Sequence, residues 1–248
     1  MDERFLRHPT LAVEQSQMTI NAMARLAKEN LFDAISLISD YNENSAGKLE
    51  QKEGLIDQYE DKIGTYLMKL NSSELNPADN KRVFEFLHML SDFERIGDHA
   101  LNICQVAQVK KSKKINFSDN GKHEMNILTD AIKEIIEISF AAFMKDDIEK
   151  AYSVEPLEER VDVLCNELKL RHVERLRSGT CSLEIGFVFN DLLTNFERVA
   201  DHCSNIAIAM IELNKNEYHA HDYKQNIKEL HSNDFDSIYA SYAEKYKI

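Results

Sequence analysis

Four Glu-x-x-x-Asp pairs carry the chemistry legible in this chain: Glu53/Asp57, Glu94/Asp98, Glu158/Asp162 and Glu197/Asp201. Residues four apart on an α-helix lie one turn apart on the same face, so each pair presents two carboxylates side by side. Leu87, Leu90 and Leu101 share the face of Glu94 and Asp98, which sets these acids on an apolar stripe. A carboxylate taken out of water costs several kcal/mol, on the order of 5, unless a cation compensates it. Clustered acids also raise one another's pKa, so four on adjoining helices call for positive charge. All-oxygen donor sets suit hard or borderline ions: Mg, Ca, Mn, Zn or ferric iron.

The pairs recur. Phe93-Glu94-Arg95-Ile96-Gly97-Asp98-His99 returns as Phe196-Glu197-Arg198-Val199-Ala200-Asp201-His202, and Asn102 and Ile103 return as Asn205 and Ile206. Glu53 and Asp57 return as Glu158 and Asp162, with Leu49 matched by Val154 and Ile56 by Val161. Any single such pair is most simply a solvated helix face with an arginine neighbour. Four pairs at matched offsets favour a site. Asn102 and Asn205, one turn further on, could add an oxygen ligand or hold one in place. His99 and His202 point about 100° away from the aspartates, which favours interhelix contacts over metal ligation but leaves a supporting position beside the metal open.

Other constellations are weaker. Glu85 and His88 have the ligand spacing of di-iron bundles, but the second copy has Val188 and Asp191 at those positions. His219-Ala220-His221-Asp222 reads as a solvated tail. No phosphate-binding glycine loop, nucleophile elbow or zinc-protease motif occurs, and nothing suggests a nucleophile held by a base, so an enzyme is not expected.

The elements that must position these acids are helices. Gly and Pro are scarce, at 7 and 3 of 248 residues, and Trp is absent. Apolar residues recur with helical period from about Val13 to Asp40. A second helix ends near Leu70, with Leu49, Ile56, Ile63 and Leu70 on a heptad seam, and a third runs to about Val109. The pattern then repeats over His123–Lys145, Asp147–Arg177 (with a kink near Pro156) and Ser182–Asn214. The expected fold is all-α: two tandem three-helix bundles related by an internal repeat, plus a short C-terminal helical tail. Its parts are an arm (1–12), a first repeat (13–110), a linker (111–120), a second repeat (121–215) and the tail (216–248). One continuous six-helix bundle is the plainer alternative.

The net charge of −13 opposes binding to nucleic acid. The cluster Lys110-Lys111-Ser112-Lys113-Lys114 reads as a solvated linker that could lie locally against lipid headgroups. Four scattered cysteines suggest reduced thiols in the cytoplasm. No apolar run approaches a membrane span and the N-terminus lacks a signal-peptide core.

Together, the doubled signature and the two further acid pairs resemble the PhoU family over about residues 13–215. The resemblance implies two repeated three-helix bundles and a non-enzymatic regulator of phosphate uptake. It also implies multinuclear metal clusters, often iron, held by Glu53, Asp57, Glu94, Asp98, Glu158, Asp162, Glu197 and Asp201. The ends add a finer likeness: Asp2-Glu3-Arg4-Phe5-Leu6 before Pro9, and the spaced aromatics of Asp234–Tyr246, are similar to the cytosolic PhoU-like portion of bacterial sodium/phosphate cotransporters. That implies a membrane transporter domain as partner, on the same or another chain, at the cytosolic face of the inner membrane. Phosphate bound through metal and a homodimer are both compatible with it. Against this regulatory metal-binding reading stands a metal-free helical adaptor whose acidic face binds a basic partner.

Overall fold

The protein was analysed as a computed structural model, which describes residues 2–71, 75–215 and 232–248. A short 3-10 turn (Glu3–Arg7) precedes α1 (Pro9–Ser39), α2 (Glu43–Asn71) and α3 (Pro77–Ser112). The second half comprises α4 (Asp119–Lys145), the single turn α5 (Ile148–Ala151), α6 (Val154–Arg177) and α7 (Leu183–Lys215), and α8 (Ser232–Lys245) closes the described chain. No strand occurs among the described residues, and none of their helices is long and apolar enough to cross a membrane.

α1, α2 and α3 pack into one bundle and α4, α6 and α7 into the other, as the repeat implies. The halves are not separate globules. α3 lies against α7, α1 touches α4, and one continuous core runs through both. Edge-to-face contacts join the two halves, with Phe93 on α3 5.1 Å from Phe140 on α4. The heptad seam of α2 is buried as expected, with Leu49, Ile56, Ile63 and Leu70 all fully enclosed.

Three helices start about a turn earlier than expected, and local start signals account for it. Pro9 starts α1 within the expected arm; at the first helical position its missing N–H leaves no bond unmade. α2 starts at Glu43, with the Asn42 side chain accepting the Ser45 N–H at 2.8 Å. Ser118 caps α4 by accepting from the Gly121 N–H at 3.2 Å, which shortens the expected linker. The helix expected over Asp147–Arg177 breaks at Tyr152 and Ser153, ahead of Pro156. Pro156 sits in the first turn of α6, where a proline needs no kink. In the tail, α8 packs on α6 with Phe235 and Tyr246 buried, and Tyr239 and Tyr242 rest against the core.

One close approach sets the geometry of the first bundle. A Cβ on Gly97 would lie 3.0 Å from Ile56 Cδ1 and 3.3 Å from Ile56 Cγ2, so the glycine lets α3 settle against α2. At the matched positions the second bundle carries Ala200 and Val161, one methyl moved from one helix to the other. Gly97→Ala alone should therefore overpack, its gain in helix propensity offset by displacement of Ile56. Adding Ile56→Val should restore the fit. Denaturant unfolding of both single variants and the double is expected to give a favourable coupling of about 1 kcal/mol. Strict additivity would show that the contact does not govern packing.

Candidate metal centre

The packing of α2 on α3 brings Glu53, Asp57 and Asp98 together, with one carboxylate oxygen of each within 4.8 Å of the others. The packing of α6 on α7 does the same for Glu158, Asp162 and Asp201. These trios are repeat equivalents. Each takes both acids of one helix and the aspartate of the next. The second is set deeper: Glu158 is buried, whereas Asp57 in the first is exposed. Burial pushes the Glu53 carboxyl above its ordinary pKa, and the charges of Asp57, Asp98 and Glu50 add to it. Arg95 reaches Asp98 at 3.3 Å and Arg198 reaches Asp201 at 2.9 Å, both from exposed positions at the rim.

Glu94 and Glu197 sit one turn from their aspartates, outside the trios, and the two bundles treat them differently. Glu197 accepts a hydrogen bond from the Lys169 ammonium on α6 at 2.7 Å. The position matching Lys169 in the first bundle is Gly64. Glu94 therefore lacks that partner, and its nearest cation is the adjacent Arg95 at 3.6 Å. Burial carries the Glu94 carboxyl up to about 7, helped by Asp98, Glu60 and Asp57 and opposed by Arg95. The first bundle thus presents an acidic surface that continues past its trio, while the second closes its surface with an ion pair.

The histidines fasten the bundles together. His99 Nδ1 lies 2.9 Å from the Asn195 side-chain oxygen and donates to it. His202 Nδ1 lies 2.9 Å from Asp92 Oδ1, and Asn205 also donates to Asp92, at 3.2 Å. Asp92 and Asn195 are themselves repeat equivalents, so the two contacts cross α3 and α7 reciprocally, with the imidazole rings 5.6 Å apart. Burial lowers the pKa of His99, its bond to Asn195 raises it, and His202 lowers it again. Asn205 is engaged across this interface, and Asn102 lies exposed on α3. Sequence reasoning missed Asp92, Asn195 and Lys169; the matched offset of Asp92 and Asn195 was the available signal for the first two.

Elsewhere, Glu85 is half-buried and carried up to about 7, mainly by burial, with Asp146 adding to it. His88 is exposed and packs on Phe84, and the two make no metal-ligating group among the described residues. His219, His221 and Asp222 lie outside the described residues.

The donors in each trio fit a hard cation. They offer three carboxylates, no sulfur or imidazole, and a spacing that leaves the ionised acids repelling one another when no cation lies between them.

A sequence model of the PhoU domain matches residues 20–107 and 125–210, one match per bundle. The chain belongs to the PhoU family. It is 26% identical over 201 residues to the phosphate-specific transport system accessory protein PhoU homolog 1 of Thermotoga maritima, covering 79% of this chain and 85% of that protein. It is 22% identical over 205 residues to the PhoU homolog of Clostridium acetobutylicum, covering 81% and 91% respectively. Its fold matches the crystal structure of PhoU from Pseudomonas aeruginosa with a TM-score of 0.78 at 21% identity, over 84% of this chain and 99% of that one. The regulatory protein PhoU of the phosphate transport system from Streptococcus pneumoniae matches with a TM-score of 0.75 at 19% identity, over 85% and 99%. The PhoU domain model leaves out residues 2–6 and 234–246, where the likeness to cotransporters was drawn.

Proposed function

We propose that this chain is a regulatory protein of phosphate transport and homeostasis, not an enzyme, and that it works through metal ions held at two carboxylate trios. The observation that carries the metal reading is the matched convergence of Glu53, Asp57 and Asp98 and of Glu158, Asp162 and Asp201. The regulatory reading is supported by family membership and by relatives named as accessory and regulatory proteins of phosphate transport. Iron is favoured by resemblance; Zn, Mn, Mg and Ca share the donor preference. A bound ion would supply positive charge on an acidic surface, with coordination positions that phosphate oxygens can fill. The partner we propose is a membrane phosphate transporter at its cytosolic face. That this chain is itself the cytosolic portion of a sodium/phosphate cotransporter rests on residues 2–6 and 234–246 alone.

Elemental analysis of protein purified without chelator or affinity metal tests this reading. Wild type should carry bound metal. Asp57→Asn/Asp98→Asn and Asp162→Asn/Asp201→Asn should each remove about half of it, since ligands must be anionic to bind. Metal-free wild type, or variants with unchanged metal content, would leave the adaptor reading in first place.

A further inference from the structure

The lysine cluster is largely the exposed last turn of α3 rather than a linker. α3 runs on through Ser112, and its last turn, the following loop, the end of α1 and the start of α4 line an open cavity of about 400 Å³ and an adjoining one of about 230 Å³. Lys110, Lys111 and Lys114 line the first, with Tyr41 and Asn116. Lys110 and Asn116 also line the second, joined there by Lys122 from α4. None of the residues lining either cavity is acidic. Asp119 pairs with Lys122 at 3.3 Å, but its side chain is fully exposed, where such pairs hold weakly. Four lysines thus line two adjoining hollows in a chain of net charge −13.

These lysines are placed at a cost. Lys110 is half-buried, donates to the Ile38 carbonyl at the end of α1 at 2.9 Å, and lies 5.6 Å from the Phe117 ring centre. Its pKa is lowered, by burial first and then by Lys122 and Lys111. Lys114 has φ +54°, the left-handed conformation that ends a helix and that glycine adopts without strain. The Lys114 N–H donates to Lys111 O at 3.1 Å and the Ile115 N–H to Lys110 O at 2.9 Å, so the loop is a formed helix cap. A lysine there strains the backbone while adding a fourth cation to the hollow.

We propose that this hollow is a binding site for a polyvalent phosphoryl anion, free in solution or displayed as a lipid headgroup. Compact ammonium charges suit phosphate oxygens as point charges, and four lysines with no acid among the lining residues call for an anion carrying several negative charges. The combined volume admits more than a single carboxylate. The site is independent of the carboxylate trios: Lys110 lies twelve residues beyond Asp98 on α3, roughly 18 Å along the helix. At physiological salt that separation exceeds the Debye length, so the lysines attract an anion that the acidic faces repel.

Calorimetric titration of pyrophosphate into the full chain, freed of metal by chelation and at low ionic strength, is the test. Wild type should bind saturably, and affinity should fall with added salt. Lys111→Gln/Lys114→Gly should weaken binding at least about tenfold while its melting temperature holds or rises, because glycine relaxes the cap. Co-sedimentation with cardiolipin vesicles separates the two sources: lysine-dependent vesicle binding without pyrophosphate binding assigns the site to lipid headgroups, and the reverse assigns it to a soluble phosphate. Binding to neither probe, or equal affinity in the lysine variant, would overturn the proposal.

Discussion

Chelation should lower the melting temperature of the wild-type protein at pH 7 by about 5–10 °C, and the matching metal should restore it. Two trios of carboxylate oxygens, each within 4.8 Å of one another, repel when ionised, and the raised pKa of Glu53 is one mark of that crowding. An ion bound only to the folded chain stabilises it by about 2.7 kcal/mol at a hundredfold excess over Kd. For a domain of this size, each kcal/mol moves the melting temperature by about 2–4 °C. The Asp57→Asn/Asp98→Asn/Asp162→Asn/Asp201→Asn variant removes both the repulsion and the ligands. Without metal it should melt at or above the chelated wild type, and neither chelator nor metal should shift it. Scanning calorimetry of both proteins, with chelator and then with metal restored, decides the matter. Identical responses in the two would remove the trios as the source of any metal effect.

Glu94→Gln and Glu197→Gln, equivalent by sequence repeat, should change metal-free stability in opposite directions. Glu94 has a folded pKa of about 7, above the unfolded reference of about 4.3. Its contribution to folding is fully present below the unfolded value and is lost as pH rises through about 7. Above that, the ionised acid opposes folding, and Glu94→Gln relieves it. Its side chain is 20% exposed, so solvent screens only part of the effect, and the gain at pH 8 should be on the order of 2 kcal/mol, shrinking towards pH 5. Glu197 is held by Lys169 at 2.7 Å, with both side chains about a third exposed. Glu197→Gln deletes that pair and should cost about 0.5 kcal/mol at either pH. Urea unfolding of chelated protein at pH 5 and pH 8 measures both. A Glu94→Gln effect that does not change between those pH values would show that the buried carboxyl is not the cause.

The four Glu-x-x-x-Asp pairs were readable because their geometry is local. Any helix sets residues four apart on one face, and a repeat of matched acids marks which faces matter. The α2 seam followed from spacing in the same way, since a seven-residue apolar period on a helix leaves little freedom in what it buries. Helix ends were less legible. Pro9, Asn42 and Ser118 act as start signals only when the chain on both sides takes up capping geometry, and the same residue types also serve in turns.

Sequence alone determined that the chain is helical, that its halves repeat, and which acids stand in pairs. Tertiary structure decided which acids meet. Asp98 joins Glu53 and Asp57 because Gly97 admits Ile56, and Asp201 joins Glu158 and Asp162 over the reciprocal pair Ala200 and Val161. Tertiary structure also gave Glu197 a lysine that Glu94 lacks, turned His99 and His202 across the α3–α7 interface, and gathered the lysines around a hollow. The physical reason is range. Spacing within a helix follows from about 1.5 Å of rise and 100° of turn per residue, whereas a carboxylate's approach to the next helix depends on a single methyl group some forty residues away in the chain.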